Sequence, residues 1–226
     1  MALNHGDPEY QEAMRFYLSG QWAEAEKAFA GLKETYSDNT FIYLVLGNIH
    51  YSLGNLDTAV ELYDEALRID PKYGVAYYKK GVCLYRMGQL QEALASFEKI
   101  VELKGQSHAM ANYFVGLINL FLGNDKTAEK AFASFRDVSP ESHIADFYLA
   151  QLKIKQKKFG EALDLLKELA EQTPNFAEVH YMLGAAHYGL HNNTEAINAF
   201  RRSVDLNPDD ERARNKLMLL TEVQWP

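Results

Sequence analysis

The sequence predicts an all-α fold: a right-handed superhelical solenoid of helix-turn-helix repeats, running as a single solenoid through residues 1–226. Three observations predict it. Two small residues and an aromatic return together at an almost constant stride. A glycine-containing turn divides most strides into two halves whose apolar residues recur at helical rather than strand spacing. Proline closes four of the six strides, at Pro71, Pro140, Pro174 and Pro208.

The stride is clearest from the small residue in each "EA" phrase. Ala25, Ala59, Ala93, Ala128, Ala162 and Ala196 are separated by 34, 34, 35, 34 and 34 residues. Self-similarity of this length marks stacked supersecondary units. Four residues after each stands Phe29, Tyr63, Phe97, Phe132, Leu166 or Phe200, and twelve before stands Ala13, Gly47, Gly81, Gly116, Ala150 or Gly184. The repeats therefore span 6–39, 40–73, 74–108, 109–142, 143–176 and 177–210.

Within each repeat the first helix ends at a turn ("SGQ", "LGN", "MGQ", "LGN") where glycine supplies the left-handed conformation that closes a helix. The second helix ends at the proline, which cannot continue it. The small residues mark where two backbones approach too closely for a large side chain, and the aromatic fills the gap one turn later. The third repeat is one residue longer and carries Gly105 at the proline place, so the loop "ELKGQSHA" is expected to be irregular. The fifth has Lys157 for the turn glycine, and the first has Ser37 for the proline. Residues 209–223 are expected to form a capping helix. Asp209, Asp210 and Glu211 suit the positive end of its dipole. Met218 stands where other repeats carry Gly or Ala, so no partner helix packs closely there, and the helix covers the last repeat's apolar face.

Composition narrows function. With 31 acidic against 23 basic residues and a net charge of −8, binding to a phosphate backbone is not expected. Cys83 is the sole cysteine, so neither an internal disulfide nor a cysteine zinc site can form. The start "MALNHGDPEY" lacks a signal-peptide pattern, and "YFVGLINLFLG" is too short to cross a bilayer, so a cytoplasmic protein without membrane insertion is expected.

The second repeat, with Tyr43, Leu46, Gly47, Ala59, Tyr63, Ala66 and Pro71, closely resembles the tetratricopeptide repeat (TPR) pattern; His50 stands where the family has tyrosine. The resemblance covers all six repeats. It implies a concave face lined by the first helix of each pair and used to hold a peptide. By the family's inward-facing places, the ligand-contacting set is Tyr10, Tyr78, Tyr113, Phe147 and Tyr181 at the fifth place, with Tyr17, Tyr51, Tyr85 and Tyr188 at the twelfth. Phe41, Lys79, Phe114 and Tyr148 come from the second and sixth, and Asn48, Arg86 and Gln151 are its further polar members. Leu44, Val45, Val75, Met110, Ile144 and Met182 extend the apolar lining. Part of the tyrosine stripe packs between repeats, whereas apolar residues at the second and sixth places are harder to explain that way. A lining of this extent exceeds what a monomer leaves wet. The family's carboxylate clamp is not implied: no lysine fills a fifth place, and Lys79 stands without a basic residue at Val75.

Catalytic chemistry is not expected. His50, His180, His187 and His191 fall at packing or turn places without a completing ligand set, and Cys83 lies within a helix. No phosphate loop, dinucleotide fingerprint or serine elbow occurs. Lys153, Lys155, Lys157 and Lys158 read as a solvated helix end. The expected function is a non-catalytic adaptor or chaperone-like module, without cofactor or metal, that binds an apolar or amphipathic protein segment. The alternative is a self-assembling homo-oligomeric scaffold, motivated by Trp22, expected to be exposed, and Trp225.

Overall fold

The protein, described here by a computed structural model over residues 6–103 and 108–222, is helical throughout, with thirteen α-helices and no strand among the described residues. The helices pair as the repeats predict: α1 (Pro8–Leu18) with α2 (Trp22–Thr35), α3 (Thr40–Ser52) with α4 (Leu56–Ile69), and α5 (Gly74–Arg86) with α6 (Leu90–Leu103). The fourth repeat holds α7 (His108–Phe121) and α8 (Asp125–Val138), and α7 begins one residue ahead of the predicted boundary. Next come α9 (Ile144–Lys155) with α10 (Phe159–Gln172), α11 (Ala177–Gly189) with α12 (Asn193–Leu206), and the predicted cap, α13 (Glu211–Glu222). The expected irregularity around Gly105 lies outside the described residues.

The chain divides into two compact units, 1–118 and 119–226, the division falling inside α7. In the N-terminal unit α2 packs on α3 and α4 on α5, so each hairpin stacks on the next. In the C-terminal unit α8 to α13 pack successively in the same manner.

Each hairpin turns through one backbone device. At the second repeat Gly54 N–H donates to Tyr51 O (3.1 Å) and Asn55 N–H to His50 O (2.9 Å), the pair of bonds that closes a helix through a left-handed residue. The same pair recurs at Gly20, Gly88 and Gly123, all with φ between 73° and 82°. It also recurs at Lys157 and His191, which are held at φ 61° despite their side chains. The repeat thus dictates the turn even where glycine is missing, at a conformational cost of about 1 kcal/mol to an L-residue.

Close approach explains the other small residues. A Cβ placed on Gly47 would lie 2.5 Å from Tyr63 Cε1, one on Gly81 2.8 Å from Phe97 Cζ, and one on Gly184 2.6 Å from Phe200 Cδ1. These rings are wholly buried, as are Phe29, Phe132 and Leu166 at the same place. Burying each stabilises the fold by about 2–3 kcal/mol, which is what makes a vacated backbone face worth its lost side chain. Tyr63 keeps its hydroxyl satisfied by donating to Asn48 Oδ1 (3.0 Å), and burial raises its pKa.

The last helix, α13, packs on α12. Asp210 accepts from the Arg212 and Ala213 backbone N–H groups (2.9 and 3.5 Å), and hydrogen bonding to the Arg212 side chain holds its carboxyl below the usual carboxylate range. Ala213 and Leu220 are buried, whereas Met218 remains 52% exposed. Trp22 differs from expectation. It is half-buried and packs edge-on against Tyr17 (5.9 Å), because it starts α2 and folds back over the first turn. Trp225 lies outside the described residues.

Candidate functional site

In the N-terminal unit the first helices α3, α5 and α7 carry most of the predicted aromatic set. Phe114, on α7, is the hub. Tyr78, Tyr85 and Tyr113 meet it edge-on at 6.1, 5.5 and 5.5 Å, and its ring stacks on Phe97 of α6 at 4.5 Å, only 3° from parallel. Such pairs contribute about 1 kcal/mol each beyond the area they bury. Tyr78, Tyr85, Tyr113 and Phe114 are all half-buried, so each presents an edge while the cluster holds its geometry. Burial raises the Tyr78 phenol pKa. Val75 and Met110, on the same two helices, are 41% and 42% exposed.

Elsewhere in this unit Tyr10, Leu44, Val45 and Asn48 are committed to the fold. Tyr10 is buried, with Phe41 tilted against it at 6.4 Å. It offers almost no surface to a ligand, because α3 closes over the first turns of α1. Leu44 and Val45 are buried as well. Asn48 Nδ2 donates to Tyr17 Oη (3.3 Å) while its Oδ1 accepts from Tyr63, so its amide bridges three helices rather than awaiting a peptide. Arg86 lies over the Tyr51 ring at 4.8 Å, a cation–π contact.

In the C-terminal unit Tyr148 repeats the role of Phe114 by stacking on Phe132 (4.7 Å, 8°), with Phe147 edge-on to it at 5.2 Å. Phe147 also stacks on Phe176, which is 47% exposed. The sixth-place rings, expected to be the least structural, therefore fill the space between a second helix and the next first helix. Tyr181 sits beneath the Arg212 guanidinium (4.6 Å) and Tyr188 beneath Lys216 (5.2 Å), so α13 covers both rings with cations. Met182 is buried and Gln151 exposed. Within the lysine run Lys153 pairs with Glu129 (2.9 Å) and Glu161 (2.5 Å) and Lys155 with Asp125 (2.7 Å), while Lys155, Lys157 and Lys158 are exposed.

The histidines sit in packing roles. His50 Nε2 faces Glu26 (3.4 Å) and His180 Nε2 meets Pro174 O (2.9 Å). Burial holds the His187 pKa below its ordinary value. Cys83 is wholly buried and its thiol is pushed up to about 11. No group of three or more His, Cys, Asp or Glu among the described residues is arranged to hold a metal ion. Two hollows of about 450 and 440 Å³, between α1 and α2 and beside α3 and α4, include none of the predicted ligand-contacting residues.

What sequence reasoning missed is the set of cations that roof the tyrosines. Arg86 to Tyr51, Arg212 to Tyr181 and Lys216 to Tyr188 are 35, 31 and 28 residues apart, so the repeat brings the next helix near each ring without fixing which residue roofs it.

Signatures described as TPR repeat or tetratricopeptide repeat match residues 47–88, 74–107, 116–175 and 153–218. The chain belongs to the tetratricopeptide repeat family. It is 23% identical over 203 residues to TPR repeat-containing protein MJ1428 of Methanocaldococcus jannaschii, an alignment covering 88% of this chain and 31% of that protein. The chain thus spans about a third of that relative's length. Among solved TPR structures, YrrB, described as a TPR protein with an unusual peptide-binding site, superposes with a TM-score of 0.77 at 24% identity, over 84% of this chain and 98% of that one. The Pseudomonas aeruginosa pilF structure gives 0.71 at 14% identity, over 96% of each. At these identities the structures establish a shared fold. No helix among the described residues is long and apolar enough to cross a membrane.

Proposed function

We propose that this TPR protein is a non-catalytic adaptor that binds an apolar or amphipathic peptide segment of a partner along its first helices, chiefly on α5 and α7. The observation that carries this reading is the Tyr78–Tyr85–Tyr113–Phe114 cluster, held rigid by Phe97 yet only half-buried, with Val75 and Met110 exposed on the same helices. Tyrosine suits the task, offering a large contact area, a hydroxyl for peptide backbone and few rotamers to freeze. The test uses an immobilised library of 15-residue peptides. Val75→Glu with Met110→Glu places two charges on exposed positions, leaves the melting temperature unchanged, and lowers retention of apolar peptides at least ~10-fold, since a buried anchor contributes ~2 kcal/mol. Unchanged retention, or no peptide retained by the wild type, refutes the proposal.

A second reading, homo-oligomerisation through the end of the chain, is favoured by Met218 and Leu219, which α13 leaves 52% and 47% exposed. Light scattering across a concentration range tests it, and a monomer at every concentration rules it out.

A further inference from the structure

We propose that the N-terminal unit reads acidic side chains of its ligand through Lys79 and Arg86 on α5; this rests on the peptide-binding reading above. The chain has a net charge of −8, and its other first-helix cations are matched by its own carboxylates: Lys80 by Asp64 (2.5 Å), Lys153 by Glu129 and Glu161, and Lys155 by Asp125. Lys79 and Arg86 break this rule. Among the described residues neither has a carboxylate within ion-pair distance, in a protein with a surplus of carboxylates to supply one.

The two cations lie seven residues apart, hence on one face of α5 and ~10 Å apart along its axis. Arg86 rests over the Tyr51 ring at 4.8 Å, and Lys79 and Arg86 follow Tyr78 and Tyr85 in the sequence, so the two cations flank the helix face that carries those rings. Arg86 is exposed as well as resting on the ring, so its N–H groups are open to a carboxylate, which a guanidinium can receive through two parallel hydrogen bonds. The occupant is therefore an apolar peptide segment that carries acidic side chains beside its anchors. The apolar anchors meet Val75, Met110 and the ring edges, and the carboxylates meet Lys79 and Arg86.

The probe is an array of 15-residue peptides built from Leu, Phe, Ser and Glu, each paired with a copy in which Gln replaces every Glu. Wild-type protein is expected to bind the Glu members ~10-fold more tightly than their Gln copies, the fold-change of one charge-assisted hydrogen bond. That preference shrinks as salt rises from about 50 to about 500 mM. The Lys79→Gln, Arg86→Gln variant loses the preference while still binding the apolar members, and Lys79→Glu, Arg86→Glu reverses it. Circular dichroism melts of both variants confirm that they are folded. Equal binding of Glu and Gln copies by the wild type, or a preference retained in the Gln variant, overturns this proposal and leaves the peptide-binding reading standing. Absence of binding to every member overturns both.

Discussion

Gly81→Ala adds one methyl group to α5, and the structure gives its consequence. The new Cβ would lie 2.8, 2.9 and 3.1 Å from Cζ, Cε1 and Cε2 of Phe97, where carbons ordinarily approach to ~3.5–4.0 Å. The ring must therefore retreat by ~0.7–1 Å. It has little room to move, because it is wholly buried and its ring is stacked on Phe114 at 4.5 Å. Overpacking of this kind costs ~1–3 kcal/mol. Alanine's better helix propensity returns ~1 kcal/mol, for a net loss of up to ~2 kcal/mol. Gly160→Ala is the control: that helical glycine has nothing within 4 Å of an added methyl, so alanine there stabilises by up to ~1 kcal/mol. Urea midpoints followed by circular dichroism read both signs. In a double-mutant cycle Gly81→Ala and Phe97→Leu couple favourably, because the fifth repeat already pairs a buried Ala150 with a buried Leu166. A Gly81→Ala protein stabilised as much as Gly160→Ala would refute the close-approach argument.

Lys157→Gly and His191→Gly each raise stability by ~0.5–1 kcal/mol in the same urea assay, because both residues occupy left-handed backbone that glycine adopts freely. Gly54→Ala lowers it by ~1 kcal/mol for the converse reason, with no steric contribution since nothing lies within 4 Å. His187 has a folded pKa depressed by burial, and its Nδ1 has no hydrogen-bond partner. The unfolded chain therefore binds the extra proton first: stability is complete above the unfolded value near 6.5 and falls as pH drops below it toward the folded pKa. His187→Tyr flattens that part of the melting-temperature profile, and an unchanged slope contradicts the assignment. Cys83, wholly buried with its pKa pushed up to about 11, reacts with a thiol reagent at pH 7.5 only as fast as the protein opens, whereas immediate labelling contradicts this.

The hairpins were legible because the repeat encodes sterics at each position. Gly47 facing Tyr63 and Gly184 facing Phe200 are constraints that only a small residue satisfies, and the turn bonds at Lys157 persist without glycine because the flanking helices demand them. The candidate site was legible only in part. A place in the repeat says which face of a helix a residue occupies, not how far the next helix covers it. Tyr10 and Met182 occupy inward-facing places and are buried, whereas Val75, at another inward-facing place, is open. Phe114 and Tyr148 looked free because the pattern allows polar residues there, yet each is stacked on the aromatic of a neighbouring second helix. The cations over Tyr51, Tyr181 and Tyr188 belong to neighbouring helices and emerge only when the helices are stacked.

The most direct measurement of the central claim is fluorine NMR of protein labelled with 3-fluorotyrosine and titrated with the tightest peptide from the array, its resonances assigned by Tyr→Phe substitution. The account predicts that Tyr51, Tyr78 and Tyr85 shift together and saturate with the binding isotherm, while Tyr43 and Tyr63 stay still. Shifts confined to Tyr43 and its surroundings, with the α5 tyrosines unmoved at saturation, would contradict it.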